Sequence, residues 1–284
     1  MVTKEMKKGH GKTKIVVPQV SNPAYAMMRA LNIVSWKNKF QQEMKGKAAW
    51  STTTTANMFK ILAHKDVMNA FVEQMTPDTL RVLNCGMVKI EAVVRFKIEE
   101  VSSARKRNPN LPLGPLAKPM VEFFLKTTGH EFEGIAVPDD DPFISRWDNT
   151  GVWVHAADRE VSGPGTFIPA ELLLAGAPEG WDLKRLFRTM TEELVKTGTV
   201  LKAAWAGIGW DLGDFKVEFG WTAFGQLVIA DVIDNDSWRL KDDQGIERSK
   251  QTIRDGKPVE EAANDFELVA RMSDKVWRRV LEAA

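Results

Sequence analysis

Residues Met87 to Ile98 read MVKIEAVVRFKI, and their alternation constrains the fold more than any other stretch. Val88, Ile90, Ala92 and Val94 recur at every second position, against Lys89, Glu91, Val93 and Arg95. A period of two belongs to a strand with one face on a core, because successive side chains point to opposite faces. Such a strand needs neighbours, and the sequence offers several. Lys14–Val17 and Ala24–Met28 are short apolar runs split by the turn signal Ser21-Asn22-Pro23. Thr79–Leu83, Met120–Lys126, Asp214–Trp221 and Gln226–Ile233 also read as strands, the last two joined by Thr222-Ala223-Phe224-Gly225.

Helical periodicity is confined to three places. Thr52–Ala63 puts Ala56, Phe59, Leu62 and Ala63 on one face, and a polar loop, Trp36–Trp50, precedes it. Leu183–Ala206 carries the stripe Leu186, Met190, Leu194 and Leu201, with Asp182 as its N-cap. Val259–Ala284 reads as an amphipathic helix. Asn84-Cys85-Gly86 sits between two strands as a hinge or a hairpin turn. Residues 148–180 hold five glycines and three prolines and read as an irregular insertion. Strands clustered early, then a mixture with long helices, predict an α+β fold and not a doubly wound sheet.

With 284 residues, one or two domains are expected. Lys plus Arg number 39 and Asp plus Glu 38, a net charge of +1. That balance excludes nucleic-acid binding through a global basic field, though not a local basic pocket. A single cysteine, Cys85, rules out an internal disulfide and reads as packing. His10, His64, His130 and His155 lack zinc-site spacing. No apolar run approaches the roughly 18 residues of a membrane span. The basic start, MVTKEMKKGHGKTK, has no hydrophobic stretch after it and is not a secretory signal. A cytoplasmic protein is the expectation.

Gly11-Lys12-Thr13 invites a phosphate-loop reading, but Met6 stands where that motif needs glycine. What remains is a glycine turn with Lys12 and Lys14, either a solvated basic segment or an approach to phosphates. In Asp214-Phe215-Lys216-Val217-Glu218-Phe219-Gly220, Asp214, Lys216 and Glu218 share one strand face, and Phe215, Val217 and Phe219 take the other. Asp231, Asp234 and Asp236 end the next strand, followed by Arg239. If the two strands pair, Glu218 and Asp231 could lie close enough to favour a shared cation, with Lys216 beside them to neutralise a phosphate. A solvated polar face with an acidic turn is the alternative. Asp139-Asp140-Asp141-Pro142 reads as a turn. Arg95, and the patch Ser102-Ser103 with Arg105-Lys106-Arg107, are anion sites or surface.

Taken in order, these segments resemble the SAICAR synthetase (phosphoribosylaminoimidazole-succinocarboxamide synthase) family. Gly11-Lys12-Thr13-Lys14-Ile15-Val16 resembles the family's opening GKxK strand. Lys45-Gly46-Lys47 with Phe59-Lys60-Ile61-Leu62 is similar to its KG…F..L segment. Met87–Arg95 resembles MVPVECVVR, Pro119–Lys126 resembles P..E..LK, and Asp141-Pro142 resembles HDP. Asp214–Gly220 matches DFKxEFG throughout. Asp231–Arg239 resembles DExSPDxxR, and Ser249–Arg254 resembles DKxxxR. The likeness covers most of the chain outside 148–180.

The resemblance implies a two-lobe α+β fold: a small β-rich ATP-binding lobe over 1–87, a larger catalytic lobe over 88–284, and ATP between them. It implies a ligase that joins L-aspartate to carboxyaminoimidazole ribotide (CAIR) with ATP and Mg²⁺. Lys216, Glu218 and Asp231 would be catalytic, and Asp141, Glu218 and Asp231 would hold Mg²⁺. Lys12, Lys14, Lys126 and Lys216 would face phosphates, and the Asn84–Met87 backbone would meet adenine. Arg95, Ser102, Asp236 and Arg239 would face the ribotide or aspartate. No nucleic acid or membrane partner is implied, and a homo-oligomer is left open. The chain departs from the pattern at Val232, where the family has glutamate, at Asp234-Asn235 for Ser-Pro, and at Trp238. Phe96 replaces an asparagine, Val101-Ser102 stands for a glycine-serine, and an early DxxTAxN-like loop survives only as Asn32, Ser35 and Asn38. Two rivals follow: a related ATP-dependent ligase or kinase with another substrate, and a non-catalytic descendant that binds.

Overall fold

The computed structural model describes residues 9–36, 40–127 and 129–283. Met6, the rest of the basic segment before Gly9, Asn38 and Ala284 lie outside the described residues. The chain forms two compact units. One comprises the described residues of Met1–Cys85 with Val200–Leu212 and Ala230–Ala284; the other comprises Gly86–Thr199 and Gly213–Ile229. The first change of unit falls next to the expected division after residue 87. The carboxy-terminal segment, however, clusters with the amino-terminal one, so both units are discontinuous in sequence.

The first unit begins with β1 (Gly9–His10), β2 (Lys14–Pro18), β3 (Tyr25–Ala30), β4 (Ile33–Trp36), β5 (Phe40–Glu43), α1 (Lys47–His64), β6 (Phe71–Thr76) and β7 (Thr79–Leu83). Five of these strands form an antiparallel sheet in the order β1-β2-β3-β7-β6, and β4 pairs with β5. Gly11-Lys12-Thr13 is the turn between β1 and β2, closed by the Gly11 N–H on the Lys14 carbonyl at 2.9 Å. A strand follows that turn where a phosphate loop needs a helix. The Asn22 side chain accepts from the Ala24 N–H, so the turn signal is realised as an Asx turn.

The polar loop expected over Trp36–Trp50 is instead β5 and the first turn of α1. That start is hard to read because Gly46 enters the helix with φ 91° and no side chain caps it. A Cβ on Gly46 would collide with the Trp50 ring.

The second unit holds β8 (Gly86–Ile98), α2 (Ser103–Arg107), β9 (Gly114–Leu125), β10 (Glu131–Phe132), β11 (Ile135–Ala136), β12 (Phe143–Asp148), β13 (Gly151–His155), β14 (Thr166–Pro169) and α3 (Ala170–Leu173). It also takes most of α4 (Leu183–Ala206), β15 (Asp211–Trp221) and β16 (Leu227–Ala230). The sheet order is β14-β13-β12-β9-β8-β15-β16. The segment expected to be an irregular insertion therefore supplies two sheet strands and a short helix. Asn84-Cys85-Gly86 is not a hairpin turn, since β7 and β8 belong to different sheets.

The alternation in β8 is realised. Val88, Ile90, Ala92 and Val94 are buried, in register with Phe123 of β9 and with Phe215 and Val217 of β15. Helix α4 covers this face: Phe187 meets Phe123 edge to face at 4.9 Å, and Gly198 lies against Phe96, Val94 and Phe215. Asp182 caps α4 as expected, accepting the Arg185 N–H at 2.7 Å.

The first unit is completed by β17 (Trp238–Lys241), α5 (Gln251–Arg254) and α6 (Val259–Glu282). Helix α6 packs along α1, where Asn57 donates to the Ser273 hydroxyl at 2.9 Å and to Asp274 at 2.7 Å. Phe266, Ala262 and Val259 share a core with Val34, Met44 and Ile253. No helix among the described residues is long and apolar enough to cross a membrane.

Candidate active site

In the second unit, the sheet face opposite α4 carries charge. Period-two spacing puts Lys216 and Glu218 on it, and the antiparallel register sets Glu218 directly across from Glu91 of β8. Two carboxylates facing each other across strands repel. Two lysines resolve the conflict. Lys216 Nζ lies 2.8 Å from Glu218 Oε1 and 3.1 Å from Glu91 Oε1. Lys126, just past β9, lies 3.2 Å from Glu218 and pairs closely with Glu91. Burial disfavours the charge on Lys216, but Glu218 and Glu91 reverse that effect and hold its ammonium above the ordinary lysine range.

Asp141 belongs to the same neighbourhood. The Thr127 N–H donates to Asp141 Oδ1, and the Asp141 N–H donates to the Thr127 hydroxyl, both at 2.8 Å. Asp141 adopts φ 54°, and burial together with the Glu91 charge pushes its carboxyl up to about 6. The expected turn is thus a turn that presents a carboxyl beside Lys126.

Arg95 lies further along the same face, and its guanidinium is consumed within the protein. Nε donates to Glu122 at 2.5 Å, one Nη to Asp214 at 2.7 Å and the other to Ser103 at 3.1 Å. Arg107 closes the network on Glu122. Ser102 is buried and accepts the Arg105 N–H as the N-cap of α2. The resemblance turns Arg95 and Ser102 towards substrate; in the structure Arg95 also ties neighbouring strands together and Ser102 starts a helix.

The first unit contributes a separate set. Lys14, at the start of β2, forms a close ion pair with Asp231, which follows β16 with φ 66°. Lys47 and Lys250 converge on Asp236, at 3.1 and 3.4 Å. Burial opposes ionisation of Asp236, yet the two lysines draw its carboxyl down to about 2. Asp234 is buried beside it and accepts the Asp236 N–H at 2.9 Å; burial and the Asp236 charge raise its carboxyl. Arg239 is on β17. Trp238 is a core residue, edge to face with Trp205 at 5.5 Å. Lys12 is exposed in the β1–β2 turn, Asn84 donates to the Pro23 carbonyl at 2.9 Å, and Met87 is half exposed. Cys85 has no acidic thiol, since burial pushes it up to about 11.

The structure therefore brings together Lys126, Lys216 and Glu218, with Asp141 adjacent, and separately Lys14 with Asp231. Among the described residues no three His, Cys, Asp or Glu side chains form a ready cation cage. Sequence reasoning missed Glu91, Lys47 and Lys250. Glu91 was findable, since it lies on the polar face of the alternating strand.

A family model described as SAICAR synthetase matches residues 7–136 and 178–269, a span that includes Lys126, Lys216 and Glu218 but leaves out Asp141. A phosphoribosylaminoimidazole-succinocarboxamide synthase of Chloroflexus aurantiacus is 31% identical over 255 residues, covering 89% of this chain and 87% of the relative. One from Roseiflexus castenholzii is 31% identical over 273 residues, covering 95% and 94%. Among solved structures, a SAICAR synthetase in complex with ADP superposes with a TM-score of 0.69 at 23% identity, covering 93% of this chain and 97% of that one. The corresponding synthase from Ehrlichia chaffeensis gives 0.71 at 19% identity, covering 94% and 98%.

Proposed function

The chain belongs to the SAICAR synthetase family, and from that premise we propose that it uses ATP to join L-aspartate to CAIR, an enzyme of purine biosynthesis. A carboxylate is a poor electrophile. ATP first converts the CAIR carboxylate to an acyl phosphate, and the aspartate amine then displaces phosphate. Most of the barrier to phosphoryl transfer is met by positioning and charge neutralisation. One observation carries the reading: two ammonium groups, Lys126 and Lys216, are held against Glu218 on one sheet face.

The donor chemistry suits Mg²⁺, which takes hard oxygens and is usually held by one or two carboxylates with substrate phosphates supplying the rest. A three-residue cage is not required. Glu218 and Asp231, with Asp141, would hold the ion, which supplies charge neutralisation at the transferred phosphoryl group. Lys216 and Lys126 bind phosphate oxygens and keep their protons. Lys12 and Lys14 would face phosphates, and the Asn84–Met87 backbone would meet adenine. Asp236 and Arg239 face the ribotide or the amino acid. Arg95 and Ser102 keep the β8–α2 connection in place.

The test supplies Mg-ATP and CAIR with and without aspartate and follows ADP release and the succinocarboxamide by mass spectrometry. Amide formation that needs all three substrates is the expected result. Val232 gives a specific second reading, because it removes a carboxylate next to Asp231. Product only with a different amine or acid would select that reading. ATP binding without turnover would select a non-catalytic descendant.

A further inference from the structure

We infer that Glu91 is a positioning residue: it holds Lys126 and Lys216 in place when Glu218 turns to a cation. The inference rests on the function proposed above.

The geometry is a near-square of alternating charge. Each lysine touches both glutamates, and each glutamate touches both lysines. The two carboxylates are not equivalent, however. The function proposed above gives Glu218, and not Glu91, to the cation. Bonds from a carboxylate to a divalent ion draw on the same oxygen lone pairs that the ammonium groups use. Once Glu218 is so engaged, both lysines lose one partner together. Glu91 is then the carboxylate that still bridges them.

Its placement suits a fixed anchor. It sits on β8, which is paired on both sides, with Phe124 of β9 across from it on one side and Glu218 of β15 on the other. Its side chain is 15% exposed, against 38% for Lys126, so the anchor is more enclosed than the lysine it holds. Lys126 is also tied through its backbone, its N–H donating to the Lys89 carbonyl at 2.9 Å. Without Glu91, two adjacent ammonium groups would repel across the site and their long side chains would lose a common direction.

Glu91→Gln keeps the shape and removes the charge. Two readouts separate positioning from simple structural support. In steady state, kcat should fall by about tenfold or more, as misplaced reacting groups do, while the KM for Mg-ATP stays level or falls because no positive charge is lost. In the absence of substrates, acylation of Lys126 and Lys216 by acetic anhydride, followed by mass spectrometry, should speed up. The expected gain is several-fold, because each lysine is released from one of the two carboxylates that hold it. Glu91→Asp restores the charge and should return acylation towards the wild-type rate, and it provides the comparison if the glutamine variant does not fold. Unchanged kcat and unchanged acylation in folded Glu91→Gln would overturn the inference, as would acylation as fast in Glu91→Asp as in Glu91→Gln. If wild-type protein makes no amide, the proposed ligase activity fails, and the acylation rates still decide the role of Glu91.

Discussion

Glu218→Gln preserves shape and deletes one charge from a cluster of two lysines and two glutamates. Turnover should fall on the order of 10²-fold, the effect of losing one well-placed electrostatic group. The thermal midpoint should fall only modestly, because Glu91 still pairs with both lysines and Phe215 and Phe219 on the buried face are untouched. Arg95 predicts the opposite outcome. Arg95→Met would remove the guanidinium that bridges the buried Glu122 and Asp214, at a cost of about 3–5 kcal/mol. A denaturant midpoint unchanged from wild type would show that the network does not anchor β8. Asp236 gives a pH signature. Its carboxyl titrates lower in the folded protein than the usual 3.8, at about 2, so its contribution is complete above pH about 4 and vanishes as pH falls towards 2. That contribution is on the order of 2 kcal/mol. The stability gap between wild type and Asp236→Asn should therefore be widest near pH 5 and close on acidification, and a constant gap would refute the pairing. The spacing of Lys216 and Glu218 was legible as a shared face. Their contacts with Glu91 and Lys126 were not, because strand register is a property of pairing and no single segment encodes it.

At the level of elements, β7 and α4 were legible to the residue, and for identifiable reasons. Helix α4 has a side-chain cap, a continuous apolar stripe and no interrupting proline. Residues 148–180 misled because glycine usually marks a loop. Gly151 instead begins β13, where a Cβ would strike the Ile168 carbonyl and the Phe167 ring. Close approach, not a turn, fixes that glycine. Gly198 has the same cause within α4: a Cβ there would come within 2.8 Å of Phe96 and 3.0 Å of Val94. Alanine normally gains up to about 1 kcal/mol over glycine in a helix. Here overpacking of about 1–3 kcal/mol should outweigh it, so Gly198→Ala is expected to lower the thermal midpoint. A raised midpoint would mean that α4 stands off the sheet.

For the whole molecule, ligand binding should register as stability. Saturating Mg-ATP at about 100 times its Kd adds about 2.7 kcal/mol to the folded state. The thermal upshift should be largely lost with EDTA, since the carboxylates proposed for the ion otherwise confront the nucleotide's own negative charge. An equal upshift without metal would remove Mg²⁺ from the site. The α+β character of the chain was legible from the order of its segments; the sharing of each unit between distant segments was not, because local patterns are silent about which distant helix a given helix meets. That sharing has a consequence for synthesis. Helix α1 is completed by α6, more than two hundred residues later, as the Asn57–Ser273 bond shows. On a translating ribosome the second unit has all of its residues once Ile229 emerges, while α1 still lacks its partner. The nascent chain must carry that unfinished core for the time taken to add the final helix, a few seconds at roughly 5–20 residues per second.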